Sequence, residues 1–423
     1  MMDRSHIESQ RGVALMMALI AVFLLIIVTF EVESTVRVEQ FITSNVDIDT
    51  KLEFALESGR EVGIATLRED RQQTEIDSEF DAWAKLIVHN DLMEADVATE
   101  EFMQLNEEDS SRNGETGQTT LYVRIYDECG KFNLYSLMTQ NEDTLRKRKE
   151  GLANVLDRFR EGFDGDLGWN EAMQITDELA IYLKRTKEEN KSGIPMAPTK
   201  ADGTLTDLAE ILYSKVITPG MLWDQLDEDG TTVIPGLFRF ITIWSDQQIN
   251  INTGSGASLA GLFGSSEASL ADNIMRYRTE VADDHEREET KKRDEKREQG
   301  RRANDPERTP EAAGTEEEQD VTGGAAFEQI NDLKDKVEGI TQDIYNKIST
   351  FATVQSSVFS VFVTAKRGQY RRSKMWIVRR TDQGPRILLV RPVTFPHYLT
   401  VDEVEEAGDR ADDEQDNNAF KCH

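Results

Sequence analysis

Residues 13–30 read Val-Ala-Leu-Met-Met-Ala-Leu-Ile-Ala-Val-Phe-Leu-Leu-Ile-Ile-Val-Thr-Phe, without one charged group, directly after Arg11-Gly12. As an α-helix this run rises about 27 Å, close to the hydrocarbon thickness of a bilayer. It predicts a single membrane-spanning segment, with everything after Glu31 on one side of the membrane. A cleavable secretory signal would be shorter and would end in a small-x-small site. Glu31-Val32-Glu33 makes no such site. Two readings stay open: a plain signal anchor that keeps its N-terminus, and a helix preceded by a short polar leader, Met1 to Gly12. Val32, Val36, Ile42, Val46, Leu52, Leu56 and Ile64 continue a helical spacing among Glu, Arg and Asp, which predicts a hydrophobic, then amphipathic stem helix over 13–70.

Beyond the stem, two kinds of pattern alternate. Residues 71–141 begin an α/β region. Phe80, Trp83, Leu86 and Ile87 predict a helix within 78–108, and the polar stretch 110–118 a loop. Residues 119–126, rich in β-branched and aromatic side chains, predict a strand; Asp127-Glu128-Cys129-Gly130 reads as a turn, after which the chain is again extended. Residues 142–278 are helical in pattern, with stripes at Leu145, Leu152, Val155, Leu156 and Phe159, and at Ile175, Leu179, Ile181, Tyr182 and Leu183. A further helix is expected over 205–213, and the whole stretch predicts a compact all-α domain.

Residues 279–324 contain no Phe, Tyr, Trp, Leu or Ile. Such a stretch buries too little apolar surface to offset ordering entropy, so a disordered charged insert is expected, or a single charged helix over 285–302. Strand patterns return in 325–400. Phe359, Val361, Val363 and Ala365 alternate with Ser360, Phe362 and Thr364, and further strands are expected over 374–379 and 385–391. Two sequence-distant sets of strands around a helical block predict an α+β chain: one antiparallel α/β domain interrupted by an inserted all-α domain. The acidic segment 401–423 is expected to be a disordered tail.

Acidic residues outnumber basic ones 80 to 49, a net charge of −31. That balance opposes nucleic-acid phosphate, which is held largely by Lys and Arg. Catalysis finds no support: the five histidines fall in no ligand spacing, and no Gly-x-Ser-x-Gly, Walker loop or His-Glu-x-x-His occurs. Cys129, in the predicted turn, reads as a structural or spectator thiol, and a disulfide with the distant Cys422 is not expected. Acid-rich turns at Asp164-Gly165-Asp166 and from Asp224 to Gly230 supply oxygens at short spacing, but neither follows the order of a calcium-binding EF-hand loop. In Ile249-Asn250-Ile251-Asn252-Thr253, Asn252 or Thr253 is expected to cap a helix over 255–263. The competing use, a DNA-binding helical hairpin, needs a Gly-x-Gly whose amides hold phosphate. The corresponding stretch, Leu262-Phe263-Gly264-Ser265-Ser266-Glu267, has one glycine and an acid.

Several of these segments carry a family resemblance. Gly12-Val13-Ala14-Leu15-Met16-Met17 resembles the leader junction of type IV pilins and pseudopilins, whose members are cut after the glycine by a prepilin peptidase. By that resemblance Val13 becomes the first mature residue and Met17 the fifth. Most members carry glutamate at the fifth position to neutralise a neighbour's amino terminus. Met17 instead resembles the K-type minor pseudopilin of type II secretion, first in its filament with no subunit above it. Asp127-Glu128-Cys129-Gly130-Lys131-Phe132-Asn133-Leu134 and the segment Asn250, Asn252, Thr253 are similar to two motifs of that family, as is the order of the late hairpin over 358–380. Gly254 stands where the family has alanine, and the charged insert looks foreign to it.

The resemblance implies a pilin-like fold and a single-pass inner-membrane protein of a Gram-negative cell, with its bulk in the periplasm. It implies I- and J-type minor pseudopilins as partners through the N-terminal helices, together with the pseudopilus major subunit and the prepilin peptidase. It implies bound calcium without locating the ligands. Alternatives are a minor pilin-like component of a type IV pilus or DNA-uptake system, and a signal-anchored periplasmic binding protein or enzyme.

Overall fold

A computed structural model describes residues 4–85, 119–163, 165–189, 204–226, 233–279, 326–367, 370–381 and 383–393, with backbone alone for 4–14 and 185–189. The first helix, α1, runs unbroken from Arg4 to Gln73. No Gly or Pro interrupts residues 13–58, and helix-disfavouring threonines are accommodated locally. The hydroxyls of Thr29, Thr35, Thr43 and Thr50 each donate to the carbonyl four residues back, at 2.7–2.9 Å. Side chains from Leu15 to Val46 are exposed all round the helix, and its apolar window has a mean hydropathy of 2.8. This is a helix long and apolar enough to cross a membrane. Burial begins at Leu52 and continues through Leu56, Ile64 and Leu67.

The described residues divide into two compact units: those within 1–58, 89–121 and 364–372 in one, and those within 59–88, 122–363 and 373–423 in the other. In the first, Arg372 pairs with Asp49, and the Tyr370 hydroxyl donates to Asn45 Oδ1 at 3.2 Å.

The larger unit holds most of the remaining elements. A four-stranded sheet orders β1 (Thr119–Asp127), β8 (Val358–Arg367), β9 (Tyr370–Arg379) and β10 (Arg386–Val393) side by side. The two sequence-distant strand sets therefore join in one sheet, as the α+β expectation required. β1 buries Leu121, Val123 and Ile125 on one face in strict alternation. β8 departs from alternation and is buried on both faces. On one side Val361 meets the backbone of Gly63 in α1, where an added Cβ would lie 2.6 Å from Val361 Cγ1. On the other, Val358 and Phe362 cluster with Cys129, Met375 and Ile377. β10 pairs antiparallel with β9, with a bulge between Ile387 and Leu389.

Between β1 and β8 lie two main helices, α3 (Glu142–Arg158) and α4 (Trp169–Glu189). Asn141 caps α3 by accepting from Thr144 N, and Gly151 lets α3 approach Gly261 so closely that a Cβ would meet its carbonyl oxygen at 2.4 Å. The helix expected over 205–213 is a 3-10 helix, Leu208–Ser214, started by a capping box of Asp207 and Glu210. The expected helix within 78–108 is seen only as the turn α2 (Ala82–Lys85); 86–118 lie outside the described residues. So do residues 280–324 of the charged insert, the acidic tail with Cys422, and Asp164 and 227–230 of the acid-rich turns. The region is less purely helical than its periodicity implies. Short strands β2 (Phe132–Asn133) with β5 (Ile241–Thr242), and β6 (Ile249–Asn250) with β7 (Ala352–Thr353), make two parallel ladders, and β3 (Gln225–Leu226) pairs antiparallel with β4 (Val233–Ile234). The larger of the hydrophobic clusters among the described residues runs from Phe132 through Leu156, Ile249 and Phe263 to Ala352.

Candidate functional site

The turn after β1, the Asn-x-Asn segment and the residues leading into β8 meet in a buried polar network of the larger unit. Asn250 is its hub. Its backbone N donates to Cys129 O at 2.8 Å. Its Nδ2 donates to Asp77 O (3.0 Å), Ser356 Oγ (2.7 Å) and Asp127 Oδ2 (3.4 Å), while its Oδ1 accepts from Asn252 N (2.9 Å). Asp127 Oδ2 also accepts the hydroxyls of Ser356 and Thr253, and Oδ1 accepts Cys129 N at 2.7 Å. Burial pushes the Asp127 carboxyl up to about 6, against the pull of these donors. Gly130 is dictated by this packing: an added Cβ would stand 2.8 Å from Thr253 Oγ1 and 3.0 Å from its carbonyl carbon.

The two motifs singled out in the sequence thus form one contact, but not in the way local rules suggested. Neither Asn252 nor Thr253 caps the following helix. Ser255 does, accepting from Ser258 N at the start of α5 (Gly256–Ala260). The asparagines instead satisfy backbone groups distant in sequence. Gly12, Val13 and Met17 lie in the first turns of α1, in the other unit, with Met17 exposed.

Asn252 has a second task. Its Oδ1 accepts from Phe327 N (2.8 Å) and its Nδ2 donates to Phe327 O (3.0 Å). On the other flank, buried Arg278 donates to Gly254 O (2.6 Å) and Ile251 O (3.3 Å) and pairs with Glu79. The rings of Tyr277 and Phe327 lie 4.9 Å apart. Arg278 and Phe327, the described residues flanking the charged insert, are therefore both fastened to the segment 251–254. Replacing 282–323 by a Gly-Ser linker is expected to leave the unfolding midpoint of the protein unchanged or raised by a few degrees. Shortening a loop several-fold removes only about 1–2 kcal/mol of closure entropy. Thermal unfolding followed by circular dichroism checks this, and a fall of more than about 5 °C would make the insert part of the fold.

Beside the hub lies the pair of Glu128 and Lys131, both buried, with Nζ 2.6 Å from Oε1. Glu128 also accepts the hydroxyls of Ser360 and Thr242. A polar recess of about 210 Å³ opens nearby, lined in part by Arg71, Cys129, Asp246, Gln248, Ser356 and Arg380. Burial, with Asp127 adjacent, pushes the Cys129 thiol up to about 12, so at neutral pH it is a poor nucleophile.

Among the buried arginines that sequence reasoning missed are Arg148 and Arg380. Arg148 lies between the rings of Phe132 and Phe351, 4.5 Å from each centroid, and burial brings it down to about 10. Arg380 reaches the acids that follow α1. Among the described residues, Asp70, Asp77 and Asp81 form one group close enough to share an ion, with oxygens within 4.8 Å of one another. An all-oxygen set suits calcium. The group does not fit here, because the Arg380 guanidinium already lies on Asp70 and Asp77.

No family model matches the sequence, and no curated protein matches it. Among solved structures, the crystal structure of the GspK-GspI-GspJ complex from the enterotoxigenic Escherichia coli Type 2 Secretion System contains a chain similar to this one. Identity is 12% and the TM-score 0.48, with 84% of this chain and 99% of that chain covered.

Proposed function

We propose that this protein is a membrane-anchored minor pseudopilin that begins the short periplasmic filament of a type II secretion system. The carrying observation is α1. One unbroken helix starts before the Gly12-Val13 junction, exposes every described side chain through Val46, and buries its later turns. A helix built only to anchor a soluble head needs no apolar surface beyond the bilayer. Here Val32, Val36, Val38, Phe41, Ile42 and Val46 lie beyond the charge-free run and are exposed, on a segment that also carries Glu31, Glu33, Arg37 and Glu39. Such a surface suits lateral packing against other helices, which here are the stems of I- and J-type minor pseudopilins and of the major subunit. Met17 in place of a carboxylate removes the group that would neutralise the amino terminus of a subunit above, which fits first place in the filament. The bulk of the chain lies in the periplasm and assists export of folded proteins.

The test is the mature amino terminus, read by mass spectrometry of protein from membranes of the native host. A terminus at Val13, N-methylated, is expected from prepilin-peptidase processing. An intact Met1 or Met2 would overturn the proposal in favour of a plain signal-anchored protein.

A further inference from the structure

The acids at the end of α1 are already served by a cation. Buried Arg380, the residue after β9, donates from Nη1 to Asp70 Oδ2 (2.9 Å), and from Nη2 to Asp77 Oδ1 and to Ser356 O (2.9 Å). Its backbone N donates to Ser357 O at 2.8 Å, and its guanidinium stacks 4.9 Å from the Phe359 ring. The planar fork therefore ties three segments at once: the last turn of α1, the loop after it, and the entry to β8. Asp77 is held from its other side as well, with Oδ2 accepting Ser356 N at 2.6 Å. Asp81 stands outside this arrangement. Its carboxylate accepts from Ser78 N (2.7 Å) and Ser78 Oγ (3.0 Å).

We propose that Arg380 is the resident cation of the Asp70–Asp77–Asp81 cluster, so that the joint between the end of α1 and the sheet is closed by a tethered guanidinium and needs no metal ion. A divalent ion among these oxygens would lie against a fixed positive charge with nowhere to withdraw, since Arg380 is enclosed by Phe359 and Ser356. The inference concerns how the stem is fastened and stands whether or not the chain is a pseudopilin.

The experiment is thermal unfolding of the full-length protein in detergent micelles, in EDTA and in millimolar calcium chloride. Wild type, Asp81→Asn, Arg380→Gln and the double variant are compared. Asp81→Asn keeps the Ser78 contacts but removes a metal ligand, so it reports on an ion and not on the arginine clamp. Wild type and Asp81→Asn are expected to unfold at the same midpoint in both solutions. Arg380→Gln is expected to lose more than about 5 °C in EDTA and to recover part of it in calcium, with the recovery cancelled by Asp81→Asn. A wild-type rise in calcium that survives Asp81→Asn comes from elsewhere in the chain and agrees with the proposal. A wild-type rise that Asp81→Asn abolishes would overturn it, as would an Arg380→Gln protein that folds and ignores calcium. If Arg380→Gln does not fold, the wild type and Asp81→Asn pair decides alone.

Discussion

Asn250→Ala is expected to destabilise the protein by about 3 kcal/mol, lowering the unfolding midpoint by roughly 5 °C. The magnitude follows from what the truncation leaves behind. Asp77 O, Ser356 Oγ and Asp127 each lose a donor, and Asn252 N loses its acceptor, all in the interior. A buried polar group without a partner costs about 1–3 kcal/mol, and rearrangement of the Ser356 and Thr253 hydroxyls recovers part of the sum. Asn250→Asp keeps the shape, yet sets a carboxylate against Asp127 and a carbonyl, and should be no better tolerated. Asn252→Ala loses only the Phe327 staple and should cost about 1 kcal/mol. Chemical denaturation of the three variants ranks them. A loss at Asn250 no larger than at Asn252 would show that the network is not organised around Asn250.

Much of the architecture was legible because it is periodic. The charge-free run gave the membrane-length part of α1, and Leu121, Val123 and Ile125 placed β1 with its buried face correct. β8 was found as a strand, but its alternation hid that both faces are covered. Ser360 and Thr364 occupy positions that look solvent-facing, and both are buried. What failed to show in the sequence was partnership. Asn250 bonds residues 106 to 173 positions away, and Arg380 bonds one 310 away. A local pattern encodes the period of an element and the chemistry of its next few neighbours, so a helix cap was the natural expectation for Asn-x-Asn-Thr. Likewise Arg380, inside Val378-Arg379-Arg380-Thr381, reads like any solvated strand end, because charge alone does not distinguish a buried guanidinium from an exposed one. One signal was available. Gly130 has no positive φ to justify it, so a glycine in that turn points to close backbone approach, and the segment that approaches is Thr253.

Lys131→Met should be the most damaging substitution of a single side chain in this network, at about 4 kcal/mol. Lys131 and Glu128 are both enclosed, and the ammonium is the charge that balances a carboxylate already engaged by Ser360 and Thr242. Removing it strands an ion in the interior, which costs far more than the pair contributes over an apolar replacement. A double-mutant cycle separates the two quantities. Glu128→Gln removes the carboxylate charge while still accepting from one hydroxyl, so Glu128→Gln/Lys131→Met should be more stable than Lys131→Met alone by about 2 kcal/mol. Equilibrium unfolding in urea gives all four corners. If the double variant were as unstable as the sum of the singles, the pair would not be coupled. The loss at Lys131 would then come from its packing against the Glu128–Gly130 turn, and the polar joint would be held by Asn250 and Asp127 without help from this ion pair.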